Sequence, residues 1–533
     1  MDLLLNLFSS SQRPSDPKQL TKQLTKDETV KMITHLLMWL DRGPFTQNKS
    51  GFEKMLQLSH DPLLIEFFRS KLQDGQPIIH LSLLIESFTN ILDSSIATAI
   101  FRNTFNPTNF EANFIPAVIE TRLKYALAPT QTTLSIDDLW IKRRCLVETA
   151  LGFRPLGSKI PLESFQLQYP FKNVPNIKSI TSLNNNILNT TLQDPTVKDP
   201  TIENSIPIHN TFKLNAGLTT RLNFNVLKLI DQWIEENGLP YDNWSQMDTL
   251  AMTIVFNPIK DQIIQETNLM MLYMNQAQSA ATILGSKEIP FPEIREWYRQ
   301  YLRSHVQNPN PESLTSIFVE ASQLLDYQYF SEEIEDQLPF AFFQINGILK
   351  VFFPIALAIL CLWEPIILYT GNNQDNGSNG NKLINQDEDL HYFVMEVFRL
   401  YNQVFILQRQ AAKDLTVGNL NIKQGEQINL MFSLYMRDAI IYPDPDKFDP
   451  QRWSQELNID WRQGQHPFSS GSRTCPARDL AIMIAKHLLR RLYNNHNYQY
   501  RLVTELKLDF NKMPQIIDPY QLNFELVPRS TLN

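Results

Sequence analysis

Phe468-Ser-Ser-Gly471-Ser-Arg473-Thr-Cys475 lies near the end of a 533-residue chain and frames one of its three cysteines. Each fixed position of this Phe-x-x-Gly-x-Arg-x-Cys string suits a metal-ligand loop. Gly471 permits a turn that brings backbone close to a bound metal, and backbone N–H groups around the sulfur would soften its charge. Arg473 is a cation placed to hold a carboxylate. After Cys475, Pro-Ala-Arg-Asp leads into Leu480-Ala-Ile-Met-Ile-Ala-Lys-His-Leu-Leu, a helix whose N-terminus aims its positive dipole end at the sulfur. The string reads as the loop of a haem thiolate, with Cys475 on the iron and Phe468, Gly471 and Arg473 around the cofactor. A thiolate pushes electron density onto haem iron and favours breaking an O–O bond. The plain alternative is a buried core cysteine at a helix start, the common situation of a free thiol.

Further signals stand upstream. Glu396-Val-Phe-Arg399 places a carboxylate and a guanidinium at i, i+3 on one helix face, where they can meet. Arg437-Asp438 follows, and then Pro443-Asp-Pro-Asp-Lys-Phe448-Asp-Pro450-Gln-Arg452-Trp453. Together with the cysteine loop these stretches resemble the signature set of the cytochrome P450 superfamily, over most of residues 310 to 500. The resemblance implies a mainly α fold with small β-sheets and a haem b cofactor whose axial ligand is the Cys475 thiolate. It implies that Arg452 closes a structural network with Glu396 and Arg399 behind the haem, and that Arg409 and Arg473 are propionate partners. Trp140-Ile-Lys-Arg-Arg144 fits the family's early Trp-x-x-x-Arg string and makes Arg144 a further propionate candidate; a solvated helix is the other reading of that stretch.

The central apolar run, Leu338-Pro-Phe-Ala-Phe-Phe-Gln344-Ile-Asn346-Gly347-Ile-Leu-Lys350-Val-Phe-Phe-Pro354 and onward to Trp363, must cross the distal face of the haem if Cys475 is the ligand. Oxygen-using members of the family usually carry an acid followed by Thr there, because protons must reach bound oxygen. No Ser or Thr occurs between Ser331 and Thr370. The stretch is instead similar to the allene oxide synthase and hydroperoxide lyase branch, which has Phe-Asn-x-x-Gly-Gly-x-Lys-x-x-x-Pro. Aligning Gly347, Lys350 and Pro354 puts Gln344 at the catalytic Asn of that branch, with Asn346 nearby. Gln replaces Asn, and the ligand loop lacks the insertion of the plant enzymes. The resemblance implies cleavage or rearrangement of a fatty-acid hydroperoxide without a redox partner. The alternative is a monooxygenase on a hydrophobic substrate, fed electrons by a reductase or ferredoxin; a haem sensor or inactive binding protein is a third class.

Composition agrees. With 43% hydrophobic residues the chain can bury a sizeable core. The 56 acidic against 48 basic residues, net charge -8, argue against a nucleic-acid partner. Three widely spaced cysteines exclude a disulfide framework and fit a reducing compartment. Met1-Asp-Leu-Leu-Leu-Asn-Leu-Phe is too short to span a bilayer and lacks a basic flank, so no transmembrane anchor is expected and the protein reads as cytoplasmic or peripheral to a membrane. The run from Val351 to Trp363 reads as a core helix rather than a span.

The expected organisation is a mobile polar segment over 1–25, a helical region over 26–130 and a haem-thiolate domain over 131–533. Within that domain, substrate-cover loops are expected over about 155–212, a central helix over about 332–364 and the ligand loop over 468–478.

Overall fold

The structure, a computed structural model, describes residues 21–23, 62–75, 78–82, 87–102, 112–115, 137–152, 206–240, 244–280, 292–325, 327–370, 387–402, 407–417, 420–458, 467–469, 473–493, 497–514 and 517–528. The chain opens with β1 (Thr21–Gln23), α1 (Pro62–Gln73), β2 (Ile78–Ser82), β3 (Ser87–Ile91), α2 (Ser94–Arg102) and β4 (Phe114–Ile115). Asp93 starts α2, its carboxylate accepting the backbone N–H of Ser95 at 2.9 Å and of Ile96 at 3.0 Å. A short acceptor ahead of the first turn satisfies donors that the helix cannot.

The helical body follows: α3 (Asp137–Leu151), α4 (Ile206–Asn237), α5 (Met247–Val255), α6 (Ile263–Ala280), α7 (Pro292–Gln307) and α8 (Leu314–Leu324). Then come α9 (Leu338–Gly347), a π-turn over Ile348–Phe352, α10 (Phe353–Thr370) and α11 (Asp387–Leu400). Strands β5 (Leu407–Ala411), β6 (Leu415–Val417), β7 (Leu420–Ile422) and β8 (Gln427–Leu430) lead to α12 (Arg478–Tyr493), β9 (Tyr498–Leu502) and β10 (Phe524–Pro528). The main sheet has the order β1-β2-β3-β8-β5-β4, and β6 pairs with β7 and β9 with β10.

Two expectations for the N-terminal part change. Thr21–Gln23, placed in a mobile segment, pairs in parallel with Ile78–His80. The region over 26–130 is a mixture rather than purely helical: Asp61-Pro-Leu-Leu-Ile-Glu-Phe-Phe does enter a helix, but Ile78–Ser82 and Ser87–Ile91 are strands. β3 runs parallel to β8, Phe88 opposite Gln427 and Ile91 opposite Leu430, so the sheet joins the two sides of the boundary drawn at residue 130. The expected helix at Val30 to Leu40 and most of the expected cover loops lie outside the described residues; within the latter range, α4 already begins at Ile206.

Two apolar cores result. One lies against the sheet and includes Ile79, Phe101, Ile428 and Phe432; the larger surrounds the central helix. From Ser331 to Trp363 the chain is one helical rod, long and apolar enough to cross a membrane by composition, but most of its apolar window is buried among its neighbours. Apolar side chains on all sides mark a helix enclosed by others. Phe352, Phe353, Leu357 and Ile359 are all fully buried. Leu357→Ala is therefore expected to cost about 2–5 kcal/mol in stability, read by denaturant unfolding of the purified protein. A loss near zero would place Leu357 outside the packed core.

Candidate active site

Glu396 and Arg399 follow the i, i+3 geometry of α11 and meet in a dry environment, both side chains fully buried. Arg399 Nε donates to Glu396 Oε2 at 2.9 Å and Nη2 to Oε1 at 2.8 Å. Arg452 Nε reaches Oε1 at 3.0 Å, Trp453 Nε1 reaches Oε2 at 2.9 Å, and the Asp449 N–H reaches Oε1 at 2.9 Å. Burial alone would raise the Glu396 carboxyl, but Arg399, Arg452 and the Asp449 N–H offset it and hold it below its ordinary value. The remaining donors of Arg399 fasten the segment that follows, reaching the carbonyls of Met436 at 2.7 Å, Pro445 at 2.8 Å and Lys447 at 3.2 Å. Its guanidinium lies 5.0 Å from the Tyr442 ring centroid. The expected triad of Glu396, Arg399 and Arg452 is thus brought together. Trp453 is an added member, and it stands next to Arg452 in the string already quoted.

The cysteine loop is tied at both ends. Cys475 N–H donates to the Phe468 carbonyl at 3.0 Å, closing a turn in which Ser469 takes a positive φ of 66°. Asn402 Nδ2 donates to the Pro467 carbonyl. Phe468 packs on Phe398 with ring centroids 4.9 Å apart, and Phe398 stacks on Phe352 at 3.8 Å. The rings of the ligand loop, α11 and the π-turn therefore form one ladder. Ser470, Gly471 and Ser472 lie outside the described residues.

Helix α3 supplies the other wall. Trp140, Arg143 and Arg144 are buried, which overturns the reading of this stretch as a solvated helix face. Arg144 Nη2 donates to the Thr474 carbonyl at 2.6 Å and its Nε to Glu148 at 2.5 Å. Arg473 lies with its guanidinium 5.3 Å from the Trp140 ring centroid. Lys142 and Arg143 turn the other way and bind Glu333, at 2.5 Å and 3.1 Å, below the central helix. Arg409 sits partly buried on β5, its Nη1 bonded to the Gln408 carbonyl at 2.6 Å.

Burial raises the Cys475 thiol, against the Ala477 N–H and the Arg144 and Arg478 charges, which lower it. A metal at the sulfur would deprotonate it outright. By contrast Cys145 is pushed up to about 12 by burial and by Glu148. A peptide N–H at one sulfur, with Arg144, Arg473 and Arg478 around the same loop, fits a cofactor that brings a cation to the thiolate and carboxylates to the arginines.

On the central helix the two candidate amides part company. Asn346 is buried and its Nδ2 donates to Asp248 Oδ1 on α5. Lys350 Nζ reaches the same carboxylate at 3.0 and 3.1 Å. Gln344 is only partly buried and stands two residues before Asn346, about 200° around the helix axis. Asn346 is committed to a neighbouring helix, and Gln344 lies on the opposite face. The role of Asp248 had no signal in the sequence, since it stands 98 residues before its partner and outside every motif.

Glu396→Gln should leave Arg399 and Arg452 buried without their carboxylate, at roughly 3–5 kcal/mol. The sign with pH follows from the lowered carboxyl. Its stabilisation is complete above the ordinary value of 4.5 and is lost as pH falls through the lower folded value. Unfolding free energies should therefore differ most at neutral pH and converge in acid; a pH-independent difference would contradict the network.

A sequence pattern described as Cytochrome P450 matches residues 385–524. Ent-kaurenoic acid oxidase 1 of Hordeum vulgare is 39% identical over 93 residues, 17% of this chain and 18% of that protein. Cytochrome P450 88A1 of Zea mays is 36% identical over 101 residues, 18% of each. These alignments span about a fifth of each relative's length. The fold match is far wider. The cytochrome P450DA heme domain superposes with TM-score 0.55 at 14% identity, covering 89% of this chain and 94% of that one. Cytochrome P450EX alpha with myristic acid gives TM-score 0.55 at 13% identity, covering 89% and 96%. A variant of cytochrome P450 OleT in complex with arachidonic acid gives TM-score 0.55 at 12% identity, covering 90% and 98%. Over residues 385–524 the chain matches the sequence pattern of the cytochrome P450 family, and over most of its length it shares the fold of solved cytochromes P450.

Proposed function

We propose that the chain is a haem-thiolate enzyme acting on a hydrophobic substrate, and that it rearranges or cleaves a fatty-acid hydroperoxide without a redox partner. The observation that carries this reading is the central helix: no Ser or Thr stands between Ser331 and Thr370, and the carboxamide of Gln344 occupies the face opposite the Asp248 contact. Bound haem would supply the iron at which an O–O bond is opened. The chain's own residues do the rest. Cys475 would ligate the iron, with Phe468 and Gly471 shaping its loop, and Arg144, Arg409 and Arg473 would hold the propionates. Glu396, Arg399 and Arg452 fix the segment behind the cofactor. Gln344 would hydrogen-bond the peroxide without supplying a proton.

A long acyl chain is supported as the substrate class by two solved structures of the same fold, which hold myristic and arachidonic acid. A second reading, an oxygen-dependent monooxygenase fed by a reductase or ferredoxin, is favoured by relatives named as an oxidase and as protopine 6-monooxygenase, the latter from Papaver somniferum. On either reading we place the protein in the cytoplasm or at the periphery of a membrane.

Two variants test these assignments. Cys475→His should leave a haem protein whose ferrous carbonyl complex lacks the red-shifted Soret band of thiolate ligation; persistence of the band would put another residue on the iron. Ferric wild-type protein mixed in a stopped-flow instrument with a fatty-acid hydroperoxide, without NADPH, should turn it over rapidly. Gln344→Leu should slow that turnover by about 10²-fold at unchanged haem content, the scale of one aligned donor lost from a water-poor site. Turnover only with a reductase would select the monooxygenase reading.

A further inference from the structure

The geometry points to Asp248 as a positioning residue that sets the rotation of the distal half of the central helix. The helix changes character at one place. After Gly347 the hydrogen-bonding pattern widens into the π-turn Ile348–Phe352, and α-helical geometry resumes at Phe353. A π-turn accommodates one residue more than an α-turn and occurs as an isolated interruption, often at functional sites. Some contact has to hold it against reversion to the regular α-helix.

Asp248 makes that contact from outside the helix. Its carboxylate accepts from Asn346, in the last turn of α9, and from Lys350, inside the π-turn. One rigid group therefore spans the start of the interruption. The anchor is fixed, because Met247, Leu250, Ala251 and Ile254 of α5 are fully buried in the main core. The lysine and aspartate side chains are themselves largely buried, at 12% and 11% exposure, so the pair is screened from water.

The consequence for the site is geometric. Reversion to α-helix would absorb one residue, turning everything before the π-turn by about 100° and shifting it by about 1.5 Å. Gln344 precedes the turn and would leave its face. Asp248, Asn346 and Lys350 thus act through Gln344 without touching substrate. The part of this inference that concerns Gln344 rests on the function proposed above; the pinning of the π-turn does not.

The test separates positioning from stability. Asp248→Leu or Lys350→Met alone leaves one buried group of the pair unmatched and can prevent folding, whereas the double variant Asp248→Leu/Lys350→Met removes both charges at once. Replacing a buried ion pair by apolar residues is often neutral for stability, so the double variant should fold, its melting temperature lowered only by the acceptor that the Asn346 amide loses. Its amides over 348–352 should nevertheless exchange with deuterium faster by about tenfold. Its kcat for hydroperoxide turnover should fall by about tenfold with KM unchanged, the signature of lost alignment. Wild-type exchange over this segment in the double variant would overturn the pinning. Faster exchange with unchanged kcat would overturn the link to Gln344. Absence of turnover in the wild type would sink the proposed reaction, while exchange would still decide the pinning.

Discussion

Everything on the cysteine side of the fold hangs on one carboxylate. A buried ionised group is costly unless its lone pairs are filled, and Glu396 accepts from two guanidinium groups, an indole and a peptide N–H. Arg399 then spends its remaining donors on three carbonyls of the segment between Met436 and Lys447. That segment carries little regular structure, so side-chain donors satisfy backbone that no helix or strand does. Arg437 extends the same solution, binding Asp446 at 2.7 Å and the carbonyls of Leu400, Met513 and Pro514.

The ligand loop inherits its placement from this frame. Phe398 belongs to the same helix as Glu396, and its ring meets those of both Phe468 and Phe352. The cysteine loop and the central helix are therefore joined through Phe398, and a change in the packing of either reaches the other through aromatic contacts. Glu333 performs a similar service on the far side, where its carboxylate joins Lys142 and Arg143 of α3 to the foot of the central helix. Three consecutive basic residues, Lys142, Arg143 and Arg144, thus divide between Glu333 and the cysteine loop.

What could be read from the sequence was what sits in short, chemically constrained strings. The Glu396, Arg399 and Arg452 network was legible because each member stands in a motif with fixed spacing, and the central helix because its uncharged run from Val351 to Trp363 is shorter than the roughly 20 residues a membrane span needs and so reads as a core helix. The sheet was not, since β3 and β8 lie more than three hundred residues apart and each is only a few residues long. Strand pairing of that kind is decided by tertiary context rather than by local preference. Asn346 illustrates a different limit: the string that located it cannot say which way it points. Only the packing of α5 shows that its partner is Asp248. Arg144 is the converse, a weak local string whose burial against Thr474 makes it part of the loop.

The hydrogen bond from Arg144 to the Thr474 carbonyl closes a separation of 330 residues. Chains elongate at about 5–20 residues per second, so α3 leaves the ribosome roughly 15–65 s before the loop it is built to hold. During that interval Trp140 and Arg144 have no ligand loop to bury against, and long-range contacts of this kind form slowly even once both partners exist. Any group enclosed between α3 and that loop can therefore be shut in only after the loop itself has been made.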